Sequence, residues 1–182
     1  MRTIRHNHAV ACHEAGHAAV AALLGILRND SNITIVSALK GEHGSVSFSQ
    51  RPCERWSTRY THRYILALYA GPAVSKRLFP EVNLLEAGGD YESDMLQAED
   101  LMQSCAPGSW EWTGDPVFQS YKARTWKRAV ALVNSNWYAI TAIAEELLKR
   151  KTMTGFMVKA ALAAMATEPG PPRVVAVTRV AM

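Results

Sequence analysis

The run Val10-Ala11-Cys12-His13-Glu14-Ala15-Gly16-His17-Ala18-Ala19-Val20 sets three adjacent polar side chains inside an alanine-rich stretch. Alanine is the best helix former, and nothing breaks the run before Gly25. A helix is therefore expected from about Ala9 to Leu24, with Gly25 as its stop. Ala11, Cys12, Ala15, Ala18, Ala19, Val20, Ala21 and Ala22 leave it almost no polar face, so it should be buried on most sides.

His13-Glu14-Ala15-Gly16-His17 has the form HExxH. Residues i and i+4 of a helix share a face one turn apart, so both imidazoles can reach one metal ion. Glu14 projects toward the same region, where it can take a proton from a metal-bound water and pass it to a leaving amine. Gly16 costs about 1 kcal/mol relative to alanine inside a helix, and a close approach of backbone or substrate is one reason to tolerate it. The plainer alternative is a pair of hydrogen-bonded core histidines. Three polar groups on a buried helix need partners, and a metal supplies one. Catalytic zinc usually takes three protein ligands. The sequence offers His6, His8, His43 and His62 for the third, and Asp90, Glu92 and Asp94 in an acidic segment.

Outward from this helix, Asn29-Asp30-Ser31-Asn32 reads as a turn. Ile33 to Val36 and Ser45 to Phe48 read as the arms of a β-hairpin, with Lys40 to Gly44 between them. The second arm could pair with an extended peptide, as exposed edges do. Thr58 to Leu78 reads as a helix interrupted at Gly71-Pro72, where Pro72 either kinks it or starts a new one. A third helix is expected from about Ser93 to Ser104, with Ser93 or Asp90 as N-cap. Phe118 to Leu148 gives one or two helices divided near Asn134 to Asn136, and Thr154 to Met165 a last one. Trp110 and Trp112 lie in a Gly-flanked loop that either folds onto the core or offers a binding wall. The fold class is mainly α (α+β), one domain over 1–167 followed by a Pro-rich tail over 168–182.

Length and composition narrow the function. The chain has 182 residues, room for one ordinary domain, and 48% hydrophobic against 20% charged residues, as in globular proteins. The longest strongly apolar run, about Ala18 to Leu27, is short of the roughly 20 residues of a membrane-spanning helix. The N-terminus has no signal-peptide core, so a cytoplasmic protein without membrane partners is expected. Cys12, Cys53 and Cys105 are odd in number and share no CxxC spacing, which argues for free thiols. The net charge of +4 hides an asymmetry. From Pro80 to Tyr121 there are nine acids and no Lys or Arg, and the remainder carries +13. The basic residues form no basic-aromatic module, so no nucleic-acid partner is expected.

Val10 to Val20 resembles the motif helix of the FtsH-type zinc metallopeptidases. Gly44-Ser45-Val46-Ser47-Phe48 is similar to that family's Gly-containing strand, and Ala67-Leu68-Tyr69-Ala70-Gly71-Pro72-Ala73-Val74 to its apolar helix. Gly89-Asp90-Tyr91-Glu92-Ser93-Asp94-Met95-Leu96-Gln97-Ala98 looks like its Gly-rich segment ending in Ser/Asn-Asp-Leu-x-x-Ala. The late helices, through Glu145-Glu146-Leu147-Leu148 and Lys151 to Gly155, extend the likeness, which covers about residues 9 to 165. The resemblance implies one zinc ion per chain held by His13, His17 and Asp94, with Glu14 as general base on zinc-bound water. A carboxylate at a helix start is also stabilised in its ionised form by the helix N-terminus, which suits Asp94, while Asp90 one turn earlier is its rival.

Hydrolysis of peptide bonds in unfolded or extended polypeptides is the activity implied. The chain departs from the family in two ways. No Walker motif or ATPase module is present, so an ATPase or adaptor acting in trans is compatible with it, and a homo-oligomer is open by analogy. The family's Gly-Arg-Ala-Ala-Glu-Glu run is here Gly71-Pro72-Ala73-Val74-Ser75-Lys76, without the Arg and both acids. The rival readings are a non-catalytic, zinc-stabilised adaptor that kept the fold, and a hydrolase of non-peptide amides.

Overall fold

Helix α1 (Arg2–Leu23) is the axis around which the other elements are arranged. In a computed structural model of the chain, residues 2–36, 44–47, 58–81, 90–105 and 114–167 are described. Every residue of α1 from Ala9 to Ala21 is buried, so the helix is enclosed on all sides, as its unbroken apolar sequence requires. It begins earlier than Ala9 because no Gly or Pro stands before it to stop the first turns. It ends as expected. Gly25 adopts φ +73°, its N–H bonds to Ala22 O, and Ile26 N–H bonds to Ala21 O, the paired bonds of a Schellman cap.

Helices α2 (Thr58–Leu78) and α5 (Trp137–Arg150) make the most extensive contacts with α1. Helix α2 is a single helix through Pro72, which leaves only the Leu68 carbonyl without its usual helical donor. Helices α3 (Asp90–Cys105) and α4 (Pro116–Ser135) pack mainly against α2. Asp115 caps α4 by accepting from Val117 and Phe118 N–H, and Pro116 occupies the first helical position, where no N–H is needed. The division from α5 falls at Asn136, whose Nδ2 and backbone N–H both turn back onto the Leu132 carbonyl.

A three-stranded antiparallel sheet in the order β2-β1-β3 lies against the start of this bundle. Strand β1 (Asn32–Thr34) pairs with β2 (Ser45–Val46) in the register Ile33 opposite Val46, which is the expected hairpin in shorter form. Strand β3 (Thr152–Thr154) pairs with the other side of β1 and puts Met153 opposite Ile33, both buried. This third strand falls mostly in the gap between the helices expected to end at Leu148 and to begin at Thr154. Lys151 at φ 67° ends α5 in a left-handed turn and swings Thr152-Met153-Thr154 alongside β1. The last helix, α6 (Gly155–Thr167), follows directly. Together these elements bear out a mainly helical α+β fold. The Trp110 and Trp112 loop, Cys53, His43 and the tail from residue 168 lie outside the described residues.

Gly155 is the tightest joint between sheet and bundle. A Cβ there would lie 1.8 Å from the Arg28 carbonyl oxygen, a backbone atom that cannot turn aside. Gly155→Ala should therefore cost about 1–3 kcal/mol, the usual range for overpacking. Urea unfolding at neutral pH would measure it, and an unchanged midpoint would contradict this packing.

Candidate metal centre

His13 and His17 project from one face of α1 toward α2 and α3, and both are buried. Their Nε2 atoms are 3.0 Å apart. Asp94 comes from α3, and its Oδ2 lies 3.0 Å from His13 Nε2 and 2.9 Å from His17 Nε2. Among the described residues this is the one group of three or more His, Cys, Asp or Glu side chains whose ligand atoms converge in this way.

Glycine makes the convergence sterically feasible. A Cβ on Gly71 of α2 would sit 2.2 Å from His17 Nε2 and 2.7 Å from His13 Cε1, so the two rings occupy the space that any other residue would fill. Gly16 plays the reciprocal part on α1: its Cβ would meet Val74 Cγ2 at 2.7 Å and Ala70 O at 3.1 Å. The helices approach closely because each gives up a side chain where the other passes. Glu14 is buried too, and a third glycine, Gly44 just before β2, approaches it. A Cβ on Gly44 would stand 2.6 Å from Glu14 Oε1.

The outward nitrogens of the rings are also anchored. His17 Nδ1 donates to the Ala67 carbonyl at 2.8 Å, and His13 Nδ1 is 3.1 Å from Ser75 Oγ. A carbonyl can only accept, so a neutral His17 carries its proton on Nδ1 and turns a lone pair on Nε2 toward the centre. That lone pair faces a carboxylate oxygen and a second imidazole nitrogen at hydrogen-bond distance. Such a cluster needs positive charge, from protons or from a metal ion.

The electrostatics show the same demand. Burial opposes a charged His17, but the charge and hydrogen bond of Asp94, joined by Glu14 and the Ala67 carbonyl, outweigh it, and the His17 pKa rises to about 9. Burial likewise pushes the Asp94 pKa upward, yet the two imidazoles more than compensate and hold it well below the usual carboxylate range. A metal ion entering here displaces protons, so acid competes with it. The donor set fits such an ion. A tetrahedral zinc with bonds of about 2.0–2.1 Å has ligand atoms about 3.3 Å apart, close to the separations here, and two nitrogens with one carboxylate oxygen are donors it accepts.

The other expected candidates separate out. Helix α3 starts at Asp90, so Asp94 lies a full turn inside it, and the paired imidazoles rather than the helix N-terminus are the main support of its charge. The side chains of Asp90, His6 and Cys105 lie outside the described residues, as His43 does, and Glu92 is exposed. His8 sits one turn before Cys12, its Nδ1 3.7 Å from Cys12 Sγ. Burial, then the Glu145 carboxylate, push the Cys12 thiol up to about 11, which keeps it protonated and unreactive.

His62 belongs to the α2–α4 contact. Arg128 can only donate, so at 3.5 Å it faces a His62 Nε2 lone pair, and Nδ1–H then points to Tyr121 Oη at 3.1 Å. Sequence reasoning passed over Ser75, Ala67 and the steric role of Gly71. The available signal was their spacing: Ala67, Gly71 and Ser75 recur every four residues along one face of α2.

No family model matches the chain, and no curated protein matches it. Among the described residues no helix is long and apolar enough to cross a membrane.

Two predictions follow from these contacts. Gly71→Ala drives a methyl group into His17, so zinc affinity should fall at least about 100-fold, the upper range for disturbing the surroundings of a ligand. Competition with a chromophoric chelator would measure it, and wild-type affinity would refute the packing described. Burial first, then Arg128, hold the His62 pKa below the usual imidazole value. The unfolded chain then takes up a proton more readily at this position, so His62 withdraws stability as pH falls through the ordinary imidazole range. His62→Gln should therefore lose less stability than the wild type between pH 7 and pH 5, with urea midpoints as the measure.

Proposed function

We propose that this chain is a zinc metallopeptidase of the FtsH type. The reading is carried by one observation: the ligand atoms of His13, His17 and Asp94 converge within 3.0 Å, with Glu14 buried next to His13 on the same helix. A zinc ion held by these three residues would supply Lewis acidity, polarising a peptide carbonyl and making water nucleophilic at neutral pH. The protein's own part is to hold the imidazoles by their far nitrogens, keep Asp94 ionised, and move the proton. Glu14 takes that proton from the attacking water and returns it to the leaving amine. Burial against Gly44 restricts Glu14 to few rotamers, which keeps the transfer geometry constant.

Substrate would be an extended polypeptide. Strand β2 is at an edge of the described sheet and is joined directly to Gly44 beside Glu14. An added strand there would run next to the proton-transfer group. The adaptor reading needs the metal but has no use for Glu14. Its carboxylate is buried against Gly44, the residue just before β2, an arrangement that scaffolding does not require.

The test compares zinc-loaded wild type with Glu14→Gln on an unfolded protein substrate. Wild type should cleave it, and the variant should keep its zinc while losing about 10²–10⁴-fold in rate. Zinc loss from the variant would make Glu14 a ligand. Zinc-loaded wild type without cleavage would favour the adaptor.

A further inference from the structure

Helix α2 presents a second face. Tyr69 lies two residues from both Ala67 and Gly71, about half a turn around the helix from each, and so leaves α2 on the side away from the histidines. Its ring meets Trp126 of α4 edge to face, with centroids 5.5 Å apart. Beside this pair is a recess of about 270 Å³ between α2, α3 and α4. Met95 of α3 and Ala123 of α4 complete its apolar lining, and Gln119 and Lys122 of α4 supply its polar edge. Gln119 and Ala123 are exposed, so the recess opens to solvent. The Tyr69 hydroxyl, on a fully buried residue, donates only to Met102 Sδ at 4.0 Å, a weak acceptor. Burial, then the Glu99 carboxylate and Tyr121, push its pKa above the usual phenol range, so it remains a donor. Trp126 is half-buried, and its Nε1–H has no acceptor among the described residues. Two aromatic donors at this recess therefore lack a strong acceptor. Charge, by contrast, is already matched. Lys122 Nζ lies 2.5 Å from Glu99 Oε1, with both side chains half-buried. An ionic ligand would have to break that pair or bring a third charge beside it.

We propose that the recess between α2, α3 and α4 is a binding site for a small uncharged aromatic group that carries a hydrogen-bond acceptor, such as the carbonyl of an aromatic amide. The ring packs against Trp126 and the Met95 thioether, over Tyr69, contacts that aromatic rings favour. The acceptor takes the Trp126 N–H, and the Glu99–Lys122 pair stays closed at the edge. The size agrees. An apolar cavity of about 150 Å³ holds benzene, so this recess has room for a ring and one polar substituent. The site stands apart from the metal centre, because Tyr69 and the residues that face the imidazoles leave α2 on opposite sides. Its test needs no zinc.

The experiment titrates the full chain, labelled with ¹⁵N-tryptophan, with benzamide and follows the indole signals by ¹H–¹⁵N correlation. Trp126→Phe identifies the Trp126 signal. That signal should shift saturably, with a Kd that is roughly millimolar, as suits a ligand of so few atoms. Cyclohexanecarboxamide keeps the acceptor and loses the ring, and benzoate keeps the ring and adds a charge. Each should bind about 10-fold more weakly. Ala123→Leu fills the recess from an exposed helical position and should abolish the shift while leaving the other tryptophan signals in place. N-acetylphenylalaninamide carries the same chemistry on a peptide. Tighter binding than benzamide assigns the site to an aromatic residue of a polypeptide, and weaker binding assigns it to a free small molecule. The proposal is overturned by the absence of a saturable Trp126 shift, by an equal shift in Ala123→Leu, or by benzoate binding more tightly than benzamide. The wild-type ligand series decides the matter even if Ala123→Leu fails to fold.

Discussion

Three polar side chains on a helix with no exposed face are the constraint that organises this protein. His13, Glu14 and His17 lie within the buried span Ala9 to Ala21, where uncompensated polar groups are costly. The surrounding elements each supply part of the compensation. Helix α2 contributes a carbonyl and a hydroxyl, α3 a carboxylate, and Gly44 just before β2 clears space for Glu14. The arrangement is economical because α2 does two things with one face: Ala67 and Ser75 hold the outer nitrogens, and Gly71 between them leaves room for the rings.

Close packing and chemistry are therefore the same problem here. Gly16 and Gly71 let α1 and α2 approach until the rings of one helix fill the gap in the other. Helix α3, packed on α2, can then reach the pair with a single carboxylate. Interiors are packed tightly enough that a methyl group matters, so a site of this kind is rigid by construction. That rigidity keeps the three facing atoms near 3 Å from one another.

Charge is distributed to match. The stretch from Pro80 to Tyr121, which has no Lys or Arg, includes the helix that delivers Asp94. The cationic demand of that carboxylate is left to the histidines and to whatever joins them. Elsewhere acids of this segment find ordinary partners, as Glu99 does with Lys122 at 2.5 Å. Where the FtsH-type pattern has acids after its glycine, this chain has Ser75 and Lys76. The hydroxyl faces His13, and the lysine is exposed and bonds the Pro80 carbonyl. The anionic contacts to the histidines among these groups come from Asp94 and Glu14.

The local periodicities were legible without coordinates. An alanine-rich run with HExxH spacing determines a buried helix with two imidazoles on one face, because 3.6 residues per turn leaves no other placement. Gly25 as a left-handed stop, the hairpin partners around Ile33 and Val46, and the break at Asn136 follow from equally local rules. Strand β3 did not, because three residues carry too little pattern, and its pairing depends on how α5 ends. The candidate site was half legible. Spacing names His13 and His17, but only a likeness of sequence chose Asp94 over Asp90, since both lie on one helix a turn apart. From sequence Ser75 and Ala67 are ordinary helix residues and Gly71 is half of an interruption, because the meaning of all three lies in what faces them 50 to 62 residues away in sequence. The sequence by itself determined the donors on one helix. The tertiary structure alone decided which atoms meet them, because burial and close approach are properties of packed pairs of elements, not of any single segment.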